Sequence, residues 1–159
     1  MKKPNEPHTI EIRKANRADA ECLFLMIKGL AAYHDDIPSI SLETLERDMS
    51  GDRPWVHILI AKVDGKAIGY SALCPLMQLQ FGVRGMDMHH LFVESGFRGR
   101  GVGRALIQAS LSLARDLSCS YMMVGTHPDN VTAQAAYIAC GFERRESSGP
   151  RFRISLADR

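Results

Sequence analysis

The stretch Leu91 to Arg104, Leu-Phe-Val-Glu-Ser-Gly-Phe-Arg-Gly-Arg-Gly-Val-Gly-Arg, constrains the fold more than any other part of the chain. An apolar run ends at Val93, and a turn rich in glycine and arginine follows. From Val102 the period becomes helical. Val102, Ala105, Leu106, Ala109, Leu113 and Leu117 fall on one face, with Arg104, Gln108, Ser112 and Arg115 on the other. A strand passing through glycines into a helix is suited to holding phosphate. The first N–H groups of the helix have no partner within it, its dipole is positive there, and glycine lets a ligand approach the backbone.

Spacing excludes two phosphate motifs. A Walker loop needs Gly-Lys before Ser or Thr, whereas Gly103 precedes Arg104 and Ala105. The dinucleotide fingerprint needs G-x-G-x-x-G, whereas these glycines are Gly99, Gly101 and Gly103. The pattern that remains, Arg98-Gly99-Arg100-Gly101-Val102-Gly103, resembles the acetyl-CoA signature of the GNAT superfamily of N-acetyltransferases, whose loop cradles the pyrophosphate. Downstream, Asn130, Ala133, Tyr137, Gly141 and Phe142 are similar to the second signature of that family, in the same order.

The resemblance implies acetyl-CoA as co-substrate and no metal. It places Arg98, Gly99, Arg100, Gly101, Val102 and Gly103 at the phosphates, the main chain of Leu91, Phe92 and Val93 along the pantetheine arm, and Asn130 and Tyr137 at the cofactor. Asn130 also reads as the N-cap of a helix.

The elements fit that family in order. Thr9 to Lys14 alternates like a half-buried strand, and Asn16 with Asp19 forms a capping-box pattern before a helix carrying Leu23, Phe24, Ile27 and Leu30. Ser41 caps a shorter helix that ends at Gly51. Strands are expected at Trp55–Val63 and Ala67–Leu73 around an Asp64-Gly65 turn, with Pro75 interrupting the second or marking its edge. Another strand is expected at Met86–Val93, after a Gly82–Gly85 turn. Further elements are a helix to Leu117, a strand at Tyr121–Gly125, a helix at Val131–Cys140 and a closing strand at Arg151–Leu156, with one more near Glu143 left open. The fold class is α/β (α+β), a GNAT fold with a mixed, mostly antiparallel sheet and helices on both faces. Residues 1–8 read as a loose lead-in and residues 9–159 as one domain.

Composition narrows the function classes. A net charge of +2 without a lysine-rich tract gives no argument for nucleic acid, and no apolar run approaches the ~20 residues of a membrane span. Cys22, Cys74, Cys119 and Cys140 lack metal or redox spacing, and their apolar neighbours suggest buried thiols in a cytoplasmic protein.

Acetylating an amine requires two proton transfers. An alkylammonium of pKa ~10 must lose a proton before it attacks, at ~1.36 kcal/mol per pK unit, and the departing thiolate must gain one. Tyr137 matches the family tyrosine that protonates the sulfur, although Ala133, Ala136, Tyr137 and Cys140 also form a helical face on which it is a core aromatic. By the period of two, Asp87, His89, Leu91 and Val93 share one face of their strand, and Met86, Met88, His90 and Phe92 the other. His89 and Asp87 stand where the family looks toward the acceptor. A neutral imidazole suits a base, and His90 replaces it if the strand carries a bulge. Tyr33, Asp35 and Asp36 follow the first helix, where the family builds its acceptor wall, and Leu30-Ala31-Ala32-Tyr33 resembles the diamine N-acetyltransferases.

The expected acceptor is a small-molecule amine such as a diamine, polyamine or amino-acid-like compound. A protein lysine or N-terminal acetyltransferase and a non-catalytic acyl-CoA-binding module are the alternatives. The apolar Pro75–Phe81 segment is left open between a pocket wall and a homodimer interface.

Overall fold

The computed structural model describes residues 9–146 and 149–156. Strand β1 (Ile10–Lys14) leads through a 3-10 turn into helix α1 (Ala20–Tyr33). There follow α2 (Leu42–Met49), β2 (His57–Val63), β3 (Lys66–Gln78), β4 (Val83–Val93), α3 (Val102–Asp116), β5 (Cys119–Val124) and α4 (Val131–Ala139). The chain divides into two compact units, Met1–His127 and Pro128–Arg159. The expected lead-in lies outside the described residues.

In the first unit the described residues form a five-stranded sheet in the order β1-β2-β3-β4-β5. The first four strands are antiparallel neighbours, and β5 runs parallel to β4 after the α3 crossover. Both faces are covered. Helices α1 and α2 bring Leu23, Met26, Leu45 and Met49 onto Ile58, Ile60, Tyr70 and Ala72. On the opposite face α3 brings Val102 and Leu106 onto Leu59, Ala61, Val63 and Ile68. A strand in the middle of such a sandwich has no solvent side, so Ile68 to Leu73 is buried without interruption.

The caps form as the residue types dictate. Asp19 Oδ2 accepts from the Asn16 N–H at 2.8 Å, and Ser41 Oγ accepts from the Thr44 N–H at 3.1 Å. Asp19 has a second task. Only 3% exposed, its carboxylate takes two hydrogen bonds from Arg13, at 2.7 and 2.9 Å, and lies 3.1 Å from Lys62 Nζ. This clamp joins β1 and β2 to the start of α1.

Several expectations need correction. On α3 the buried stripe includes Ile107 and Ser110, because the Ser110 hydroxyl meets Ser71 Oγ at 2.8 Å and donates to the Leu106 carbonyl. Strand β3 continues through Pro75 to Gln78, past its last β2 pair at Leu73, so the missing N–H loses no ladder bond on the side β2 has vacated. Strand β4 begins at Val83, and Gly85 belongs to it rather than to a turn. Its Cα lies under the Tyr121 ring, in the space a Cβ would need. Beyond Pro75 the exposed side chains include Met77, Leu79 and Phe81.

Residues 151–156 are not paired as a strand, and among the described residues no strand forms near Glu143. Phe152 and Leu156 are 94% and 91% exposed. Alternation is a property of side chains, whereas a strand also needs a partner edge. The four cysteines are free and half-buried, not fully buried.

The hydrogen bonds from Arg13 hold the Asp19 carboxyl well below the usual carboxylate range, against the opposing effect of burial. A depressed folded value means stability that is present above the unfolded pKa of ~3.9 and is lost as pH falls toward the folded value. Replacing Asp19 by Ala should therefore cost about 3 kcal/mol at neutral pH, since it strands two cations. The deficit should shrink below about pH 4. Denaturant unfolding of both proteins at neutral and acid pH checks this; a deficit that does not change with pH would rule out the charge clamp.

Candidate active site

Strand β4 has a partner on both edges only over part of its length. Its parallel pairing with β5 ends at Met88, opposite Val124. From His90 to Val93 it is paired with β3 alone, up to Gly69 opposite Val93. The Glu94 N–H donates to the Ile68 carbonyl at 2.8 Å, toward β3. Hydrogen-bonding groups along a strand alternate between edges, so those of Val93 and Leu91 face the edge β5 has left. The Val93 carbonyl there accepts from Arg98 Nε at 2.8 Å.

The same strand carries a bulge. Ala72 pairs with His90 and Leu73 with Met88, which makes His89 the extra residue. This corrects the faces expected for Asp87 and His89, while the residues after the bulge alternate as expected. His90 meets Tyr70, and Phe92 packs with the α1–α2 core, so both project to the α1 side. Leu91 and Val93 pack with the α3 core, on the opposite side. His89 stacks on His90, with ring centroids 4.5 Å apart and planes 13° apart. His89 Nδ1 also lies 4.0 Å from Asp87 Oδ2. The bulge thus brings Asp87, His89 and His90 together.

His89 is 61% exposed at its side chain. His90 is half-buried, and burial, His89 and His34 together push its pKa down to about 4. Two further residues contribute, His34 from the Tyr33–Asp36 stretch expected at the acceptor wall and Tyr70, which was not apparent as a site residue from sequence. His34 caps the C-terminus of α1, and Tyr70 is an interior residue of β3 whose hydroxyl reaches His90 Nδ1 at 3.0 Å. The one sequence signal for Tyr70 is chemical: a phenol within an apolar strand needs a polar partner.

The glycine loop is open above its backbone. Gly99 and Gly101 have φ of 71° and 83°, and an added Cβ at either would meet nothing within 4 Å. Gly101 is the N-cap of α3, no side chain caps it, and the first turn contains no acid. The outward N–H groups and the flanking arginines make this end electropositive. Arg98 lies over the Tyr33 ring at 5.5 Å and Arg100 over Phe97 at 5.7 Å. Tyr33, at the end of α1, is 62% exposed and meets His34 edge-on. Asp35 follows in the left-handed region with φ of 56°, and Asp36 is exposed.

In the second unit, Asn130 Oδ1 caps α4 by accepting from the Ala133 N–H at 3.1 Å. Tyr137 packs edge-on against Phe142 with centroids 5.9 Å apart, and burial raises the pKa of its phenol. Gly141 adopts φ of 94°, and the Phe142 N–H returns to the Tyr137 carbonyl at 3.1 Å. The second signature is thus a capped helix with a left-handed glycine exit. Among the described residues no group of three His, Cys, Asp or Glu side chains is placed to hold a metal ion. No described helix is long and apolar enough to cross a membrane.

Comparison with known proteins agrees with this geometry. An aminoglycoside N(6')-acetyltransferase type 1 of Stenotrophomonas maltophilia is 30% identical over 138 residues, covering 85% of this chain and 87% of that one. A thialysine N-epsilon-acetyltransferase of Bos taurus is 26% identical over 141 residues, 83% of each chain. The structure of the aminoglycoside acetyltransferase AAC(6')-Iy with a CoA-S-monomethyl-acetylneamine bisubstrate analogue superposes with a TM-score of 0.76. It is 25% identical and covers 92% of this chain and 99% of that one. The acetyltransferase (GNAT) family pattern matches residues 19–142, across both units, and the chain belongs to that family.

Proposed function

We propose that this acetyl-CoA-dependent enzyme acetylates a primary amine of a small molecule that carries a second positive charge. One observation carries the reading. The end of α1 lies close enough to the bulge for His34 to lower the proton affinity of His90. The Tyr33–Asp36 segment and the Asp87–His90 cluster therefore border one region. Asp35, Asp36 and Asp87 give that region negative charge, suited to a dication. Aminoglycosides and thialysine, named for two relatives, are small molecules with more than one amino group.

The roles follow from the groups present. The phosphates of acetyl-CoA meet the N–H groups of Gly99 to Gly103, with Arg100 and Arg104 adding positive charge. The free edge at Leu91 and Val93 takes the pantetheine arm, with Asn130 as a further contact. The substrate ammonium gives its proton to His89, whose Nδ1 lies 4.0 Å from the Asp87 carboxylate. The amine nitrogen then bonds to the acetyl carbon as the carbon–sulfur bond breaks. Tyr137, kept as a phenol by burial, protonates the departing thiolate and is restored, through solvent, by the second proton that the nitrogen sheds in becoming an amide.

Gly101 is unsuitable for testing the phosphate site, since its φ of 83° itself favours glycine. Gly103 is better. A Cβ there would meet only Val93 Cγ2, at 3.9 Å. Gly103→Ala should keep or raise Tm, because Ala is the better helix former by about 1 kcal/mol. It should weaken acetyl-CoA binding about tenfold, or 1.4 kcal/mol. Unchanged affinity by calorimetry would place the phosphates elsewhere.

Tyr137→Phe should lower kcat by about 10²-fold with acetyl-CoA affinity retained. Wild-type kcat with chemistry rate-limiting would return Tyr137 to a packing role.

The acceptor is tested with a panel of monoamines, diamines, aminoglycosides and lysine-containing peptides, followed by mass spectrometry. Diamines should exceed monoamines of equal length in kcat/KM, and replacing Asp35 and Asp36 by Asn should narrow the gap. A peptide preference would instead indicate a protein acetyltransferase, and no turnover at all an acyl-CoA-binding module.

A further inference from the structure

The bulge in β4 stacks two imidazoles, yet the transfer needs one proton acceptor. We propose that Tyr70 is a positioning residue that fixes the proton of His90 on Nε2, so that His90 serves as a hydrogen-bond donor and His89 alone takes the proton of the amine. This deepens the acetyl-transfer reading and rests on it for the identity of the reaction.

Tyr70 is fully buried. Its hydroxyl lies 3.0 Å from His90 Nδ1, and no other polar side chain among the described residues pairs with it. A neutral imidazole has one donor nitrogen and one acceptor nitrogen. If Nδ1 carried the proton, it would donate to the Tyr70 oxygen, and the phenol hydrogen would be stranded in the apolar layer with Ile60 and Ala72. Stranding a buried donor costs its full desolvation. If Nδ1 is bare, it accepts the phenol hydrogen, and the imidazole proton is left on Nε2.

Changes of charge offer no escape from this choice. Burial raises the pKa of the Tyr70 phenol, so it keeps its hydrogen. The titratable groups facing His90 are His34 from α1, Tyr70 from β3, and His89 and Asp87 from β4. Both histidines disfavour a cation at His90, as does burial, and its pKa is pushed down to about 4. The Asp87 carboxylate lies by His89, at 4.0 Å from its Nδ1. The neighbours therefore have opposite proton roles. His90 is neutral, held by Tyr70 and already protonated on its second nitrogen. His89 is exposed, with a carboxylate to balance the charge it gains.

Nitrogen-15 NMR of histidine-labelled protein reads the tautomer directly. In the wild type at neutral pH, His90 should show a protonated Nε2 and a bare Nδ1. Tyr70→Phe should erase or reverse that preference. A proton on Nδ1 in the wild type, or an unchanged tautomer in a folded Tyr70→Phe protein, would overturn the assignment. If that variant does not fold, the wild-type spectrum alone decides.

Kinetics give an independent arm. Glutamine at position 90 can present an N–H in place of Nε2–H, so His90→Gln should retain the acidic limb of the kcat/KM profile. His89→Gln should lose that limb and about 10²-fold in rate at neutral pH. The reverse pattern would overturn the proposal. An enzyme inert toward every amine would count against the transfer reading, and the tautomer spectrum would still decide the role of Tyr70.

Discussion

Strand β4 belongs to a sheet and, in the proposed mechanism, serves a ligand with the same backbone. It does so by changing partners along its length. As far as Met88 it is held by β3 on one edge and β5 on the other, and Met86 and Met88 are buried. Past that point only β3 remains, and the backbone of Leu91 and Val93 is left with hydrogen-bonding groups facing an open edge. Unpaired edge groups are a liability in a sheet, and their value lies in what they can bind. The bulge at His89 falls just where β5 departs. A bulge disrupts the ladder and increases local twist, so it suits the point at which one neighbour is lost.

The parts of this arrangement written in local chemistry were legible in the sequence. Asn16 with Asp19, Ser41 with Thr44, and Asn130 with Ala133 all form caps from side chains a few residues from their targets. The glycine loop was equally plain, since Gly99 and Gly101 take positive φ. What escaped was non-local. No residue type marks His89 as a bulge, and strict alternation split His89 from His90 although the fold stacks them. Ser110 was left off the apolar stripe of α3, because its burial depends on Ser71 from another element. Gly85 read as a turn residue because the ring that needs its missing side chain, Tyr121, comes from a strand beyond α3. Arg151–Leu156 had the alternation of a strand without the partner edge.

Burial separates two aspartates of similar origin into different kinds of work. Asp19 is sealed between Arg13 and Lys62, with an N–H on the same carboxylate. Its charge is spent on holding β1, β2 and α1 together, and a ligand cannot reach it. Asp87 is more exposed, and its nearest cationic partner is a histidine at 4.0 Å. A carboxylate paired to a permanent cation has little left to offer a substrate. One paired to an imidazole gains most at the moment that imidazole takes a proton.

Arg98 shows a similar division within the glycine loop. Its guanidinium donates to the Val93 carbonyl and lies over the Tyr33 ring. It thereby ties the start of the loop to the last residue of β4 and to the end of α1. An arginine so engaged is poorly placed to be the main counter-charge of a phosphate. In the proposed mechanism that task falls to the N–H groups at the start of α3, which need no side-chain ordering, and to Arg100 and Arg104. Val93 O, the carbonyl Arg98 holds, lies on the very edge that β5 leaves free. The arginine therefore links three parts of the proposed site: the glycine loop, the free edge of β4 at Val93, and the aromatic ring at the end of α1. A cation–π contact and one charge-assisted hydrogen bond are each modest at an exposed site. They suffice to bias a loop whose glycines leave it several other conformations, and that bias is what a preorganised site requires.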